Sequence, residues 1–136
     1  MPTYRHTFPG LPEQILRARR FAAQCLTGSP ASAAIRMMIS EIATNAIQHS
    51  RSGHPGGHFT VTVMVQGNRV RVEIEDGGPR AGGVPHARAA TPDAESGRGL
   101  AVVQALADAY GTIRPNIVWF ELEAPPMSFR APWASE

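Results

Sequence analysis

The sequence contains no lysine, because all 13 of its basic residues are arginine. A Walker A phosphate-binding loop, a Schiff-base enzyme and a protein kinase of the eukaryotic type each depend on a lysine amine. The absence of lysine therefore excludes all three classes. There is also a single cysteine, Cys25, which excludes a disulfide framework and a site built from several cysteine ligands.

Long apolar runs are missing as well. No segment approaches the roughly 20 apolar residues that a membrane-spanning helix needs, and residues 1–10 lack the apolar centre of a signal peptide. The net charge of +2 arises from arginines scattered along the chain, which is weak evidence for nucleic-acid binding. We therefore expect one cytoplasmic domain over residues 1–136, with no direct contact to nucleic acid or membrane.

Hydrophobic periodicity predicts three helices. The first runs from Pro12 to about Leu26, and the third from Leu100 to Tyr110, where Gly111 closes it. The second and best-defined covers residues 31–50, because its apolar side chains follow the i, i+3, i+4 rule.

Strand patterns surround these helices. Residues 3–8 can form a short strand, and residues 59–65 and 70–75 alternate between apolar and polar side chains around a turn at Gly67, as in a half-buried hairpin. Residues 117–123 form a last predicted strand, in which we expect Trp119 to pack in the core. The Pro-rich tail, residues 124–136, is expected to be flexible.

Polar residues that could take part in binding or catalysis lie in a row on the second helix. Glu41, Asn45 and His49 are spaced four apart, so they share one edge of the apolar stripe. Such a row can border a pocket, but it also fits a helix face turned to water.

Two glycine-containing segments add further candidates. Asp76 ends the hairpin and is followed by Gly77 and Gly78, which can admit a ligand to the backbone or simply form a turn. Gly97-Arg98-Gly99-Leu100 leads into the third helix, whose N-terminal N–H groups can hold a phosphate. Alone, this segment also fits an ordinary helix-entry loop.

Together these residues resemble the three sequence boxes of the GHKL ATPases, in the family's order. Residues 41–49 (EIATNAIQH) are similar to the E-x-x-x-N-A helix, including the histidine that often follows in bacterial anti-sigma factors of the serine-kinase type. Asp76-Gly77-Gly78 is similar to D-x-G, and residues 97–100 to G-x-G-L. The chain departs from the family at Arg80, where a glycine is common, and near Asn116, where a small hydroxylated residue is common.

The resemblance implies an α+β fold of the Bergerat type, a two-layer sandwich in which helices cover one face of a mostly antiparallel sheet. It implies binding of ATP with Mg²⁺ under a lid at residues 77–96. Asn45 would hold the Mg²⁺ and Asp76, aided by Gly78, the adenine amino group. Glu41 would be the general base. The remaining nucleotide-binding residues would be His49, Gly97, Arg98, Gly99 and Leu100.

The resemblance also implies a function. Stand-alone members of this type phosphorylate serine or threonine on a small antagonist protein and sequester a sigma factor, often as homodimers, here expected through the N-terminal strand and helix. A second interpretation is a nucleotide-gated binding module without significant kinase activity, for which the departure at Arg80 leaves room. A histidine-kinase catalytic fragment is less favoured, since no phospho-acceptor helix pair precedes the domain.

Overall fold

A computed structural model describes residues 2–26, 28–78, 97–113 and 116–123. In these ranges the α-helices are α1 (Gln14–Cys25), α2 (Ser32–His49) and α3 (Gly97–Leu106). The strands are β1 (Thr3–Pro9), β2 (His58–Gln66), β3 (Arg69–Glu75), β4 (Ala109–Ile113) and β5 (Ile117–Glu123). A short 3-10 turn, Arg51–Gly53, follows α2.

The central hairpin forms as its alternating pattern predicts. Phe59, Val61, Val63 and Val65 of β2 are buried, and Val63 pairs with Val72 of β3 in an antiparallel register. Gly67 makes the turn with a φ of +60°, a backbone conformation that glycine adopts without a steric penalty.

All strand pairs of the sheet are antiparallel, in the order β1-β2-β3-β5-β4. The buried side chains of β2, β3 and β5 join those of α1 and α2 in one hydrophobic core. The helices therefore cover one face of the sheet, and the predicted two-layer α+β architecture is confirmed. The helices predicted at residues 12–26 and 31–50 agree with α1 and α2 to within two residues at each end.

The opposite face of the sheet carries a charged cluster around Arg71. Its guanidinium donates to Glu73 at 3.0 Å and to Glu121 at 2.9 Å, and its Cζ lies 4.3 Å from the centroid of the Trp119 ring. The expectation that Trp119 packs in the core is wrong, because an odd-numbered position of β5 points away from the helices, as the buried Phe120 beside it indicates. Trp119 instead packs under an arginine of the outer face.

The third helix differs from its prediction. It begins at Gly97 rather than Leu100 and ends at Leu106, after which Ala109–Ile113 pairs with β5 as an edge strand. Gly111 does not close a helix. It lies opposite Trp119, where an added Cβ would come within 3.1 Å of the indole, so glycine leaves room for that ring.

In the described ranges, no helix is long and apolar enough to cross a membrane. Apart from Gly77 and Gly78, the lid predicted at residues 77–96 lies outside the described residues, and so does the tail at residues 124–136.

Candidate functional site

Helix α2 presents the predicted polar row along the margin of its buried stripe. Glu41 and Asn45 are half-buried and lie one turn apart, and His49 is exposed at the last residue of the helix. Their neighbours Ile42 and Ala46 are buried in the core. The row thus follows the border between the buried face of the helix and its exposed face. From this position a carboxylate and an amide can both reach a bound molecule.

The Asp76 turn follows directly from β3, the central strand of the sheet. Asp76 N donates to Asn116 O at 2.9 Å, and Asn116 Nδ2 donates to Asp76 O at 3.4 Å. The carboxylate oxygen Oδ1 of Asp76 accepts a 2.7 Å hydrogen bond from Gly78 N. These contacts fix both the main chain and the side chain of the acid at the end of the sheet.

Glycine is required at position 78 by the backbone. Gly78 is buried and has a φ of +89°, a region that side chains with a Cβ rarely adopt. A Cβ added there would meet no atom of the described residues within 4 Å. Among the described residues, therefore, none occupies the space that a side chain at position 78 would take.

A buried serine supports the same turn from the side of α2. Gly77 N donates to Ser52 Oγ at 2.9 Å, and Ser52 is fully buried in the 3-10 turn that follows the helix. The sequence patterns did not identify Ser52 or this role of Asn116. No local signal could have found them, because both contacts join distant parts of the chain.

The glycine-containing segment at residues 97–100 forms the first turn of α3. The first N–H groups of a helix have no acceptors within the helix, so they can donate to an anion. Helix α3 also packs against α2. The third predicted segment therefore lies on a helix that contacts the helix with the Glu41 row.

Asn45 is the candidate metal ligand of this site. Among the residues that the structure describes, no group of three or more histidine, cysteine, aspartate or glutamate side chains could hold a metal ion by itself. Mg²⁺ in nucleotide sites is commonly held by one or two protein oxygens together with the phosphates. A half-buried Asn45 fits this arrangement, since its amide supplies one hard oxygen.

Comparison with known proteins agrees with the fold and with the order of the motifs. Residues 8–120 match the family model of the histidine kinase-like ATPase domain, which spans all three motifs. No curated protein matches the chain. The match confirms the predicted resemblance at the level of the GHKL superfamily, whereas the anti-sigma type and the roles of individual residues stay predictions.

Proposed function

Because this chain belongs to the family of histidine kinase-like ATPase domains, we propose that it binds Mg-ATP and phosphorylates serine or threonine on a small antagonist protein, and that it sequesters a sigma factor. The observation that carries the proposal is the Glu41–Asn45 pair, half-buried on one edge of α2 within the matched region. From positions one turn apart, a carboxylate can accept the proton of a hydroxyl group while an amide holds the metal ion that binds the phosphates.

Glu41 would accept the proton of the attacking serine or threonine hydroxyl. The hydroxyl oxygen then forms a bond to the γ-phosphorus as the bond between that phosphorus and the β–γ bridging oxygen breaks, and ADP leaves with the bridging oxygen. Asn45 would hold Mg²⁺, which neutralises charge on the phosphates when bound. The residues of the chain thus orient the hydroxyl and remove its proton.

The base and the phosphates would be held by separate parts of the site. Asp76 would accept a hydrogen bond from the adenine amino group, aided by the backbone of Gly78, whose N–H donates to the Asp76 carboxylate. Guanine has a carbonyl acceptor in the corresponding position, so an acid there favours ATP. The phosphates would contact residues 97–100 at the start of α3, together with His49.

The protein partners and a homodimer are also proposed from the resemblance to this family. The sigma factor and the antagonist would be the protein partners, in the cytoplasm. A homodimer would use β1 and α1, and the position of β1 at the edge of the sheet supports this, because an edge strand presents main-chain groups to a second chain.

A capture experiment tests the proposal. The tagged protein is incubated with lysate of its native cells, with and without Mg-ATP, and retained proteins are identified by mass spectrometry. We expect a sigma factor to be retained with Mg-ATP and a small antagonist to gain one phosphate on serine or threonine. Partner binding that depends on ATP without phosphate transfer would favour the nucleotide-gated module, and failure to bind ATP would contradict both functions.

A further inference from the structure

Two fully buried serines form a hydrogen-bonded chain between α2 and the Asp76 turn. Ser50 Oγ donates to Ala46 O at 2.6 Å, in the last turn of α2. Ser52 N donates to Ser50 Oγ at 3.0 Å, and Gly77 N donates to Ser52 Oγ at 2.9 Å. The end of the helix that carries the Glu41 row is thus joined to the turn after β3 by direct hydrogen bonds.

Ser52 is held rigidly at its place in this chain. The main chain of Gly10 packs so closely on Ser52 O that a Cβ at position 10 would overlap it, and a Cβ at Gly53 would overlap Ile47 O. The main chain of Ser52 therefore has little room to follow the Asp76 turn if that turn moves, because its carbonyl group and the next residue are packed against other backbone.

The turn itself is held at three successive N–H groups. Asp76 N donates to Asn116 O, Gly77 N to Ser52 Oγ and Gly78 N to Asp76 Oδ1. The first bond fixes the turn to Asn116, directly before β5, and the second fixes it to the 3-10 turn that follows α2. The third ties the carboxylate to the turn, so the orientation of the turn determines where the carboxylate points.

We propose that Ser52 is a positioning residue for base recognition, whose hydroxyl sets the orientation of the Asp76 carboxylate toward adenine. The inference rests on the adenine contact of Asp76 given under Proposed function. Ser52 itself would not contact the nucleotide. Its removal leaves Gly77 N without its acceptor and lets the turn rotate, which weakens recognition of the base and leaves the phosphate contacts in place.

Calorimetric titration of Ser52→Ala with ATP, GTP and Mg²⁺-tripolyphosphate tests this role. We expect ATP affinity to fall by about 2- to 10-fold, the range of one net hydrogen bond, and the ATP-to-GTP affinity ratio to fall by the same factor. Tripolyphosphate affinity should stay at the wild-type value. A merely structural role would lower all three affinities together or change only the midpoint of urea unfolding, and either result overturns the proposal.

The matched control is Ser40→Ala. The Ser40 hydroxyl lies on α2 itself and is buried like that of Ser52, but it makes no hydrogen bond within the described part of the chain. Its removal should leave the ATP-to-GTP ratio unchanged. If Ser52→Ala fails to fold, Ser52→Cys keeps the size of the side chain with a weaker acceptor, and its ratio should lie below that of wild type. An unchanged ratio in this variant contradicts the role of the hydroxyl.

A double-mutant cycle with Asp76→Ala separates the two proposals. Residues that act through one another show non-additive effects, so Ser52→Ala should reduce ATP affinity little further when Asp76 is already alanine. Additive losses mean that Ser52 does not act through Asp76, and the positioning role is then wrong while the adenine contact stands. If Asp76→Ala alone leaves ATP affinity unchanged, the adenine contact is wrong and the positioning role is overturned with it.

Discussion

Replacement of Asp76 by alanine gives the most direct test of how the site would recognise its nucleotide. The change removes the proposed acceptor for the adenine amino group and the oxygen that accepts from Gly78 N at 2.7 Å. The hydrogen bonds to Asn116 involve only main-chain atoms of residue 76, so the end of β3 stays attached to the sheet.

The magnitude follows from the number of bonds lost. Leaving the adenine amino group without its acceptor in a buried site costs about 1–3 kcal/mol, which corresponds to a loss of about 5- to 150-fold in ATP affinity. GTP donates no hydrogen bond at the equivalent position, so its affinity should change much less. The ATP-to-GTP affinity ratio should therefore fall by nearly the same factor as the ATP affinity.

Calorimetric titration of both nucleotides in the presence of Mg²⁺ measures this ratio. Asp108→Ala is the matched control, because the Asp108 carboxylate also accepts a main-chain hydrogen bond, from Glu123 N at 2.9 Å, but lies between α3 and β4. The control should keep the wild-type ratio. If Asp76→Ala keeps it as well, Asp76 does not recognise the base and the assignment of this turn is refuted.

Three further results are expected. Asn45→Ala should make ATP affinity insensitive to Mg²⁺. If titrations with and without Mg²⁺ show that the ATP affinity of the variant depends on Mg²⁺ as much as that of wild type, the metal assignment is contradicted. Burial raises the pKa of the Cys25 thiol to about 12, so a thiol-reactive disulfide should label it only as urea unfolds the protein, and rapid labelling in native buffer would contradict this. The hydrogen bond from Arg71, with a smaller one from Arg69, holds the pKa of Glu121 below its usual 4.5 against the opposing effect of burial. A carboxylate whose pKa is lowered by folding stabilises the fold fully above its unfolded pKa, and this stabilisation is lost as the pH falls through its folded pKa. Wild type should exceed Glu121→Gln in free energy of unfolding by at most about 1 kcal/mol, since the ion pair is partly exposed, and this difference should shrink in acid. Urea titrations that show the same difference at neutral and acidic pH would be contrary evidence.

Local patterns were sufficient for the elements that carry the motifs. Helix α2 could be predicted because five of its buried residues follow helical spacing, and the β2–β3 hairpin because its apolar side chains alternate around Gly67. The placement of Glu41 and Asn45 along one edge of the helix follows from the same spacing. These features depend only on residues a few positions apart.

Features that depend on distant residues could not be predicted in this way. Segment 109–113 contains small residues that fit a helix end, and it becomes a strand only because β5 offers it an edge to pair with. The hydroxyl of Ser52 and the amide of Gly77 are 25 positions apart, and Asn116 is 40 positions from Asp76. The sequence therefore indicated the chemical groups of the site but not the residues that hold them in place.

The proposed kinase activity depends on the Glu41 carboxylate, so the transfer rate of the Glu41→Ala variant tests it. Phosphoryl transfer is followed with labelled ATP and the captured antagonist or, without one, as slow release of phosphate from ATP. Glu13→Ala, which removes an exposed glutamate before α1, is the control. We expect Glu41→Ala to bind Mg-ATP within a few-fold of wild type and to lose roughly 10²–10⁴ in transfer rate, the usual contribution of a positioned base. The control should keep both the affinity and the rate of wild type. If wild type transfers and releases no more phosphate than Glu41→Ala while ATP still changes partner binding, the kinase assignment is wrong.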